Sequence, residues 1–127
     1  MFRVLIVDDH ELIRTGVRTL LASEPRLEVC GEAKNGREGV EQVKYLHPDL
    51  VVLDISMPVM GGLEAAAEIR RVAPKTKIVI LSMHDSAPLT EQLRKAGADA
   101  FVTKSEAGVK LLQIVRFLLE IGQAESV

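Results

Sequence analysis

Apolar residues along this chain come in short unbroken runs, and each run empties into a polar residue. Val4-Leu5-Ile6-Val7 leads into Asp8-Asp9, and Leu50-Val51-Val52-Leu53 leads into Asp54. Ile78-Val79-Ile80-Leu81 leads into Ser82, and a weaker run, Ala100-Phe101-Val102-Thr103, leads into Lys104. A continuous apolar run of roughly four to eight residues suits a strand buried on both faces. Residues 27–33 alternate instead, with Leu27 and Val29 against Glu28, which suits a strand at a sheet edge.

Between the runs the period becomes helical. Residues 11–22 place Ile13, Val17, Leu20 and Leu21 on one face, and Glu24-Pro25 breaks the pattern. A second helix is expected over 36–46 with Pro48 beyond it, and a third over 63–72 with Pro74 beyond it. Pro88 suits the first turn of a fourth helix and Gly97 its C-terminal cap. A fifth is expected over 106–121, after which Gly122 opens a polar tail over 123–127. The pattern is five βα units without repeat or linker, hence one domain over 1–122. The right-handed crossover rule puts helices on both faces of a parallel sheet, with strands one, three and four central.

In an open parallel sheet, ligands bind at the carboxyl ends of the strands. There the pattern gathers three carboxylates, one hydroxyl and one ammonium. At about 4 Å and an effective dielectric near 20, each carboxylate pair repels by roughly 4 kcal/mol. Such a cluster calls for a cation, or for one raised pKa. An all-oxygen donor set points to Mg²⁺, with Mn²⁺ as a substitute. Taken alone, Asp54 also reads as an ordinary surface turn, and Asp8-Asp9 as an acid pair at a helix N-terminus.

Composition narrows the classes. The 127 residues suffice for one real core, and 47% are hydrophobic, so the chain is globular. A net charge of −2 argues against a direct grip on nucleic acid. Cys30 is the single cysteine and is expected to be a buried thiol. No apolar run approaches the roughly 18 residues of a membrane span, and no signal peptide is evident, so a cytoplasmic protein is expected. His10, His47 and His84 do not form a ligand set by spacing; His47 is expected in solvent and His84 at the rim of the site. No Gly-rich phosphate loop is present.

Asp8-Asp9, Asp54, Ser82, Phe101 and Lys104, each at a strand end and in that order, resemble the receiver domain of bacterial two-component response regulators. Val7-Asp8-Asp9-His10 and the stretch from Met57 to Glu64 resemble the subfamily with a LuxR-type helix-turn-helix output domain. Ser82 stands where threonine is commoner and Phe101 where tyrosine is. Ser105 follows Lys104 where many receivers have proline, so no cis peptide is expected there. The resemblance implies a flavodoxin-like α/β fold with strand order 2-1-3-4-5.

It implies chemistry as well. Asp54 would be the nucleophile that accepts a phosphoryl group from a phosphohistidine on a sensor histidine kinase. Asp9 would bind Mg²⁺ directly, Asp8 through water, and Ser56 through its backbone carbonyl, with Asp54 completing the set. Three carboxylates and Lys104 leave a charge of −2, which one Mg²⁺ cancels. Lys104 would hold a phosphoryl oxygen. Ser82 and Phe101 would form the switch, the hydroxyl drawn to the phosphoryl group and the ring following it.

The chain would then be a signalling switch, not a turnover enzyme, with output through a C-terminal DNA-binding domain absent from it. Alternatives are a stand-alone receiver acting by protein contact, an aspartyl-phosphate phosphatase, and an interaction module with a dead site. Ser56 stands where a phosphatase of that class usually has its general acid. On the fifth helix, Leu111, Leu112, Val115, Leu118 and Leu119 are expected to face the sheet. Ile114, Phe117 and Ile121 form a second apolar stripe, read as a surface for self-association.

Overall fold

A computed structural model of the protein describes residues 1–57, 59–83 and 90–121. Pro58, His84, Pro88 and the tail from Gly122, on which the sequence places expectations, lie outside the described residues.

Each apolar run forms a strand. The order along the chain is β1 (Phe2–Val7), α1 (Glu11–Leu21), β2 (Leu27–Ala33), α2 (Gly36–Leu46), β3 (Leu50–Asp54), α3 (Gly62–Val72), β4 (Lys77–Ser82), α4 (Thr90–Lys95), β5 (Ala100–Thr103) and α5 (Ala107–Leu118). The five strands form one sheet in the order β2-β1-β3-β4-β5, and every pairing is parallel. The central strands are the continuous apolar runs, as expected for strands covered on both faces.

The pleat divides the core in two. Val4 and Ile6, Leu50 and Val52, Val79 and Leu81, and Val102 pack with Val17 and Leu21 of α1 and Leu111 and Val115 of α5. Leu5 and Val7, Val51 and Leu53, and Ile78 and Ile80 pack with Val40 of α2, Ala65 and Ile69 of α3 and Leu93 of α4. Alternation with a period of two produces this division. One irregularity interrupts it. The β1–β2 register steps from Val4–Val29 to Leu5–Gly31, so Cys30 bulges from the edge strand. Its thiol is half-buried and lies 3.5 Å from the Val4 carbonyl, where full burial was expected.

Two helices end with the same pair of hydrogen bonds. After α4, Gly97 N–H donates to Arg94 O and Ala98 N–H to Leu93 O. Gly97 has φ 107, a conformation that glycine adopts without a Cβ penalty. After α5, Glu120 N–H donates to Phe117 O and Ile121 N–H to Arg116 O. Here Glu120 takes the left-handed position, with φ 58.

This turn corrects the expected fifth helix. The helix stops at Leu118, the chain folds back, and Ile121 is 5% exposed in the core rather than on an outer stripe. Ile114 is half-buried and packs against the same core, while Phe117 remains 80% exposed. Of the sheet-facing set, Leu111, Val115 and Leu119 are buried, and Leu112 and Leu118 are half-buried. Among the described residues no helix is long and apolar enough to cross a membrane.

Candidate functional site

Strand alternation continues past the strand ends and selects the site. Asp8 follows Val4 and Ile6, Asp54 follows Leu50 and Val52, and Lys104 follows Val102. All three therefore project on the α1–α5 side of the sheet. The ladder continues far enough to hold them: Asp8 N–H donates to Ala33 O, Ile55 N–H to Leu81 O and Lys104 N–H to Ser82 O. Lys104 Nζ lies 3.1 Å from Asp8 Oδ2 and 3.3 Å from Asp54 Oδ1.

Asp8 and Asp54 are buried, at 0% and 1% exposure. Asp54 Oδ1 also accepts from Ser56 N–H at 3.3 Å, which ties the following turn to the carboxylate. Asp54 Oδ2 is buried without a hydrogen-bond partner among the described residues. Asp8 Oδ2 has the Lys104 ammonium near it but outside hydrogen-bond geometry. Asp9 stands at the exposed edge of the group. Ser56 is exposed two residues past Asp54.

Neighbouring backbone is packed hard against this corner. A Cβ on Gly62 would lie 2.5 Å from Asp54 O, and Gly62 N–H donates to Ile55 O. Only glycine lets the loop close so tightly under the Asp54 carbonyl. Val59, in the same loop, has φ 72, an outlier for a β-branched residue. On the other side, the buried Arg14 donates to Asp8 O at 2.7 Å and to Glu32 at 3.1 Å, while Arg18 also pairs with Glu32.

The charges shift one another. Burial pushes the Asp54 carboxyl above its ordinary pKa, and the Asp8 charge adds to this, while Lys104 pulls the other way without winning. For Lys104, burial works to lower the pKa, but its close contact with the Asp8 carboxylate and the charges of Asp54 and Asp8 outweigh it, and the net shift is upward. The ammonium therefore stays charged.

Ser82 and Phe101 belong to the opposite side of the sheet. By alternation Ser82 follows Ile78 and Ile80, and it is 4% exposed. Phe101 is half-buried and packs against the core of the α2–α3–α4 side. The β4–β5 register pairs Ile80 with Phe101 and Ser82 with Thr103, so the two expected switch residues sit two steps apart on one face.

The structure adds a residue that spacing missed. His10 Nδ1 lies 3.3 Å from Asp8 Oδ1 and 3.1 Å from Asp9 Oδ1. Carboxylate oxygens of Asp8, Asp9 and Asp54 and a ring nitrogen of His10 all lie within 4.8 Å of one another. A three-histidine spacing test could not find it, because its partners are carboxylates; adjacency to Asp8-Asp9 was the available signal. An orphaned buried carboxylate oxygen inside an acidic cluster fits a divalent cation.

Comparison with known proteins agrees with this geometry. Residues 4–116 match the family model described as the response regulator receiver domain. The response regulator GacA of Pseudomonas viridiflava is 38% identical over 118 residues, which are 93% of this chain and 55% of that protein. The chain thus spans about half the length of such curated relatives. A LuxR-family two-component response regulator from Aurantimonas sp. SI85-9A1 superposes with TM-score 0.86 at 34% identity, covering 93% of this chain and 85% of that one. A chain of the CheX–CheY–BeF3–Mg²⁺ complex from Borrelia burgdorferi gives TM-score 0.86 at 29% identity, covering 93% of this chain and 89% of that one. The strand order, the acidic corner beside a lysine, and a match across nearly the whole chain lead to one conclusion: this chain belongs to the response regulator receiver domain family of two-component systems.

Proposed function

We propose that this chain is a phosphorylation switch in which Asp54 takes a phosphoryl group from the phosphohistidine of a sensor histidine kinase. The observation that carries this reading is the state of the Asp54 carboxylate. It is buried, Oδ1 is held by Lys104 and Ser56, and Oδ2 has no hydrogen-bond partner among the described residues. As Asp54 attacks phosphorus, an O–P bond forms and the P–N bond of the donor breaks. The departing imidazole takes up one proton. Lys104 stays cationic at the pocket and meets a phosphoryl oxygen.

Asp9, Asp8, Asp54 and the Ser56 carbonyl are the ligand set we assign to Mg²⁺, with Mn²⁺ as a substitute, Asp8 acting through water. When bound, the cation supplies charge neutralisation between the carboxylates and the incoming phosphoryl oxygens. The Mg²⁺ in the related CheY complex supports this assignment.

Phosphate on Asp54 adds about −1.5 to −2 charges. We assign Ser82 and Phe101 the task of passing that change to the α4 side of the sheet. The output we favour is transcriptional, through a DNA-binding domain beyond this chain, as the LuxR-family likeness suggests. Residues 1–122 would be the receiver and 123–127 the start of a linker, in a cytoplasmic protein. Self-association through α5 remains part of the reading, now carried by the exposed Phe117 with half-buried Ile114 beside it.

Acetyl phosphate with Mg²⁺ tests the core of this. One phosphoryl group should be added per chain, and chelation or Asp9→Ala should abolish both labelling and Mg²⁺ binding. Labelling of Asp9→Ala at the wild-type rate and metal affinity would refute the assignment.

A further inference from the structure

The family reading gives the pocket oxygen donors only, yet a nitrogen stands among them. His10 is the N-cap residue of α1, with extended backbone at φ −100 and ψ 115. Residues at this position commonly cap the helix with a side-chain oxygen. The His10 ring makes no capping bond. It turns instead toward Asp8 and Asp9, with Nδ1 at 3.3 and 3.1 Å from their carboxylate oxygens. One ring nitrogen carries at most one proton, so it cannot donate fully to both carboxylates at once. A cation in that position would offset both carboxylate charges and accept the nitrogen as a ligand. Asp54 belongs to the same cluster, and its Oδ2, buried and without a hydrogen-bond partner among the described residues, independently points to a missing positive ligand.

We infer that His10 Nδ1 is a ligand for borderline transition cations at this pocket and makes the site selective for them over what oxygen donors alone would give. The inference rests on the proposed cation site. Mg²⁺ is hard, keeps several waters and takes oxygen ligands. Co²⁺ and Zn²⁺ accept imidazole readily and bind mixed N/O sites more tightly than the hard cations do. His10 therefore contributes little to Mg²⁺ and much to Co²⁺. The ring is 63% exposed, so it can turn to a metal without disturbing the core. The pocket would then be contested by whichever of these cations is at hand.

Calorimetric titration of the unphosphorylated protein with Mg²⁺ and separately with Co²⁺ tests this, in wild type and His10→Gln. The substitution should weaken Co²⁺ binding about ten-fold or more and leave Mg²⁺ binding within about two-fold. In the wild type, ¹⁵N NMR should show the His10 Nδ1 resonance moving on Zn²⁺ addition and staying in place on Mg²⁺ addition. Equal losses for both cations, an unchanged Co²⁺ affinity, or a Nδ1 resonance unmoved by Zn²⁺ would overturn it. If Mg²⁺ binds the wild type normally in such a case, only the role of His10 falls. If no cation binds the wild type, the metal site itself falls with it.

Discussion

Lys104 reaches Asp54 across an intervening strand: its Nζ stands 3.3 Å from Asp54 Oδ1, although β4 separates β5 from β3. The same ammonium serves Asp8 at 3.1 Å. One ammonium is thus shared between two buried carboxylates, which leaves the corner short of positive charge among the described residues. That shortage has a measurable consequence at Asp54.

Asp54 should weaken the fold when ionised. Its pKa is raised, by burial first and by Asp8 second. A carboxyl raised on folding contributes stability that is complete below its unfolded pKa and is lost as pH rises through its folded pKa. Asp54→Asn should therefore raise Tm at neutral pH by a few degrees, on the order of 1 kcal/mol. The gain should vanish below about pH 3, where the carboxyl is protonated in both states. A neutral-pH Tm below wild type would contradict this.

Ser82 should carry part of the response and none of the acceptance. Moving a two-state element from 1:99 to 99:1 takes about 5.5 kcal/mol. A hydroxyl bond to a charged group supplies about 1.5–3. Packing of Phe101 and the contact of Lys104 with a phosphoryl oxygen must provide the rest. Ser82→Ala should accept phosphate from acetyl phosphate yet show reduced chemical-shift changes at Leu93 and Phe101. A full wild-type response there would disprove the coupling.

Glu24 anchors the end of α1 to α5. It is 2% exposed and accepts from Arg26 Nε at 2.8 Å and Arg116 Nε at 3.0 Å. The Arg26 hydrogen bond leads in lowering its pKa to about 2. A depressed carboxyl contributes stability present above its unfolded pKa, about 4.3, and lost as pH falls through the folded value. Glu24→Gln should cost about 1–3 kcal/mol at pH 7. Water access to both guanidiniums favours the lower end. The deficit should shrink as pH falls from about 4.3 toward 2. Urea titration at several pH values checks both points, and a pH-independent deficit would rule out the ionic account.

Phe117 is the measure of self-association. Being 80% exposed, it can be made charged without a packing cost. Phe117→Glu should convert any dimer to monomer in sedimentation and leave Asp54 phosphorylation intact. A wild type that stays monomeric at high concentration, with and without phosphate, would remove the α5 surface as a self-contact.

The sequence was most legible where burial speaks through local pattern. The runs ending at Val7, Leu53 and Leu81 became central strands, and the alternation at Leu27–Val29 became the edge. The same period of two put Asp8, Asp54 and Lys104 on one face. Less legible were features set by partners distant in the chain. Glu24 marked a helix break, but its burial depends on Arg116, 92 residues away. The end of α5 was missed because Glu120, not a glycine, takes the left-handed turn. Wheel geometry therefore carried Ile121 onto a face it does not share. His10 escaped because imidazole was sought beside other imidazoles, whereas its partners are the adjacent carboxylates.

The central claim is that Asp54 itself becomes an acyl phosphate. After treatment with acetyl phosphate and Mg²⁺, borohydride reduces an aspartyl phosphate to homoserine, and peptide mass spectrometry locates the change. We expect it at position 54 in wild type and nowhere in Asp54→Asn. Reduction at Asp8 or Asp9 with Asp54 intact, or unchanged labelling of Asp54→Asn, would contradict the account.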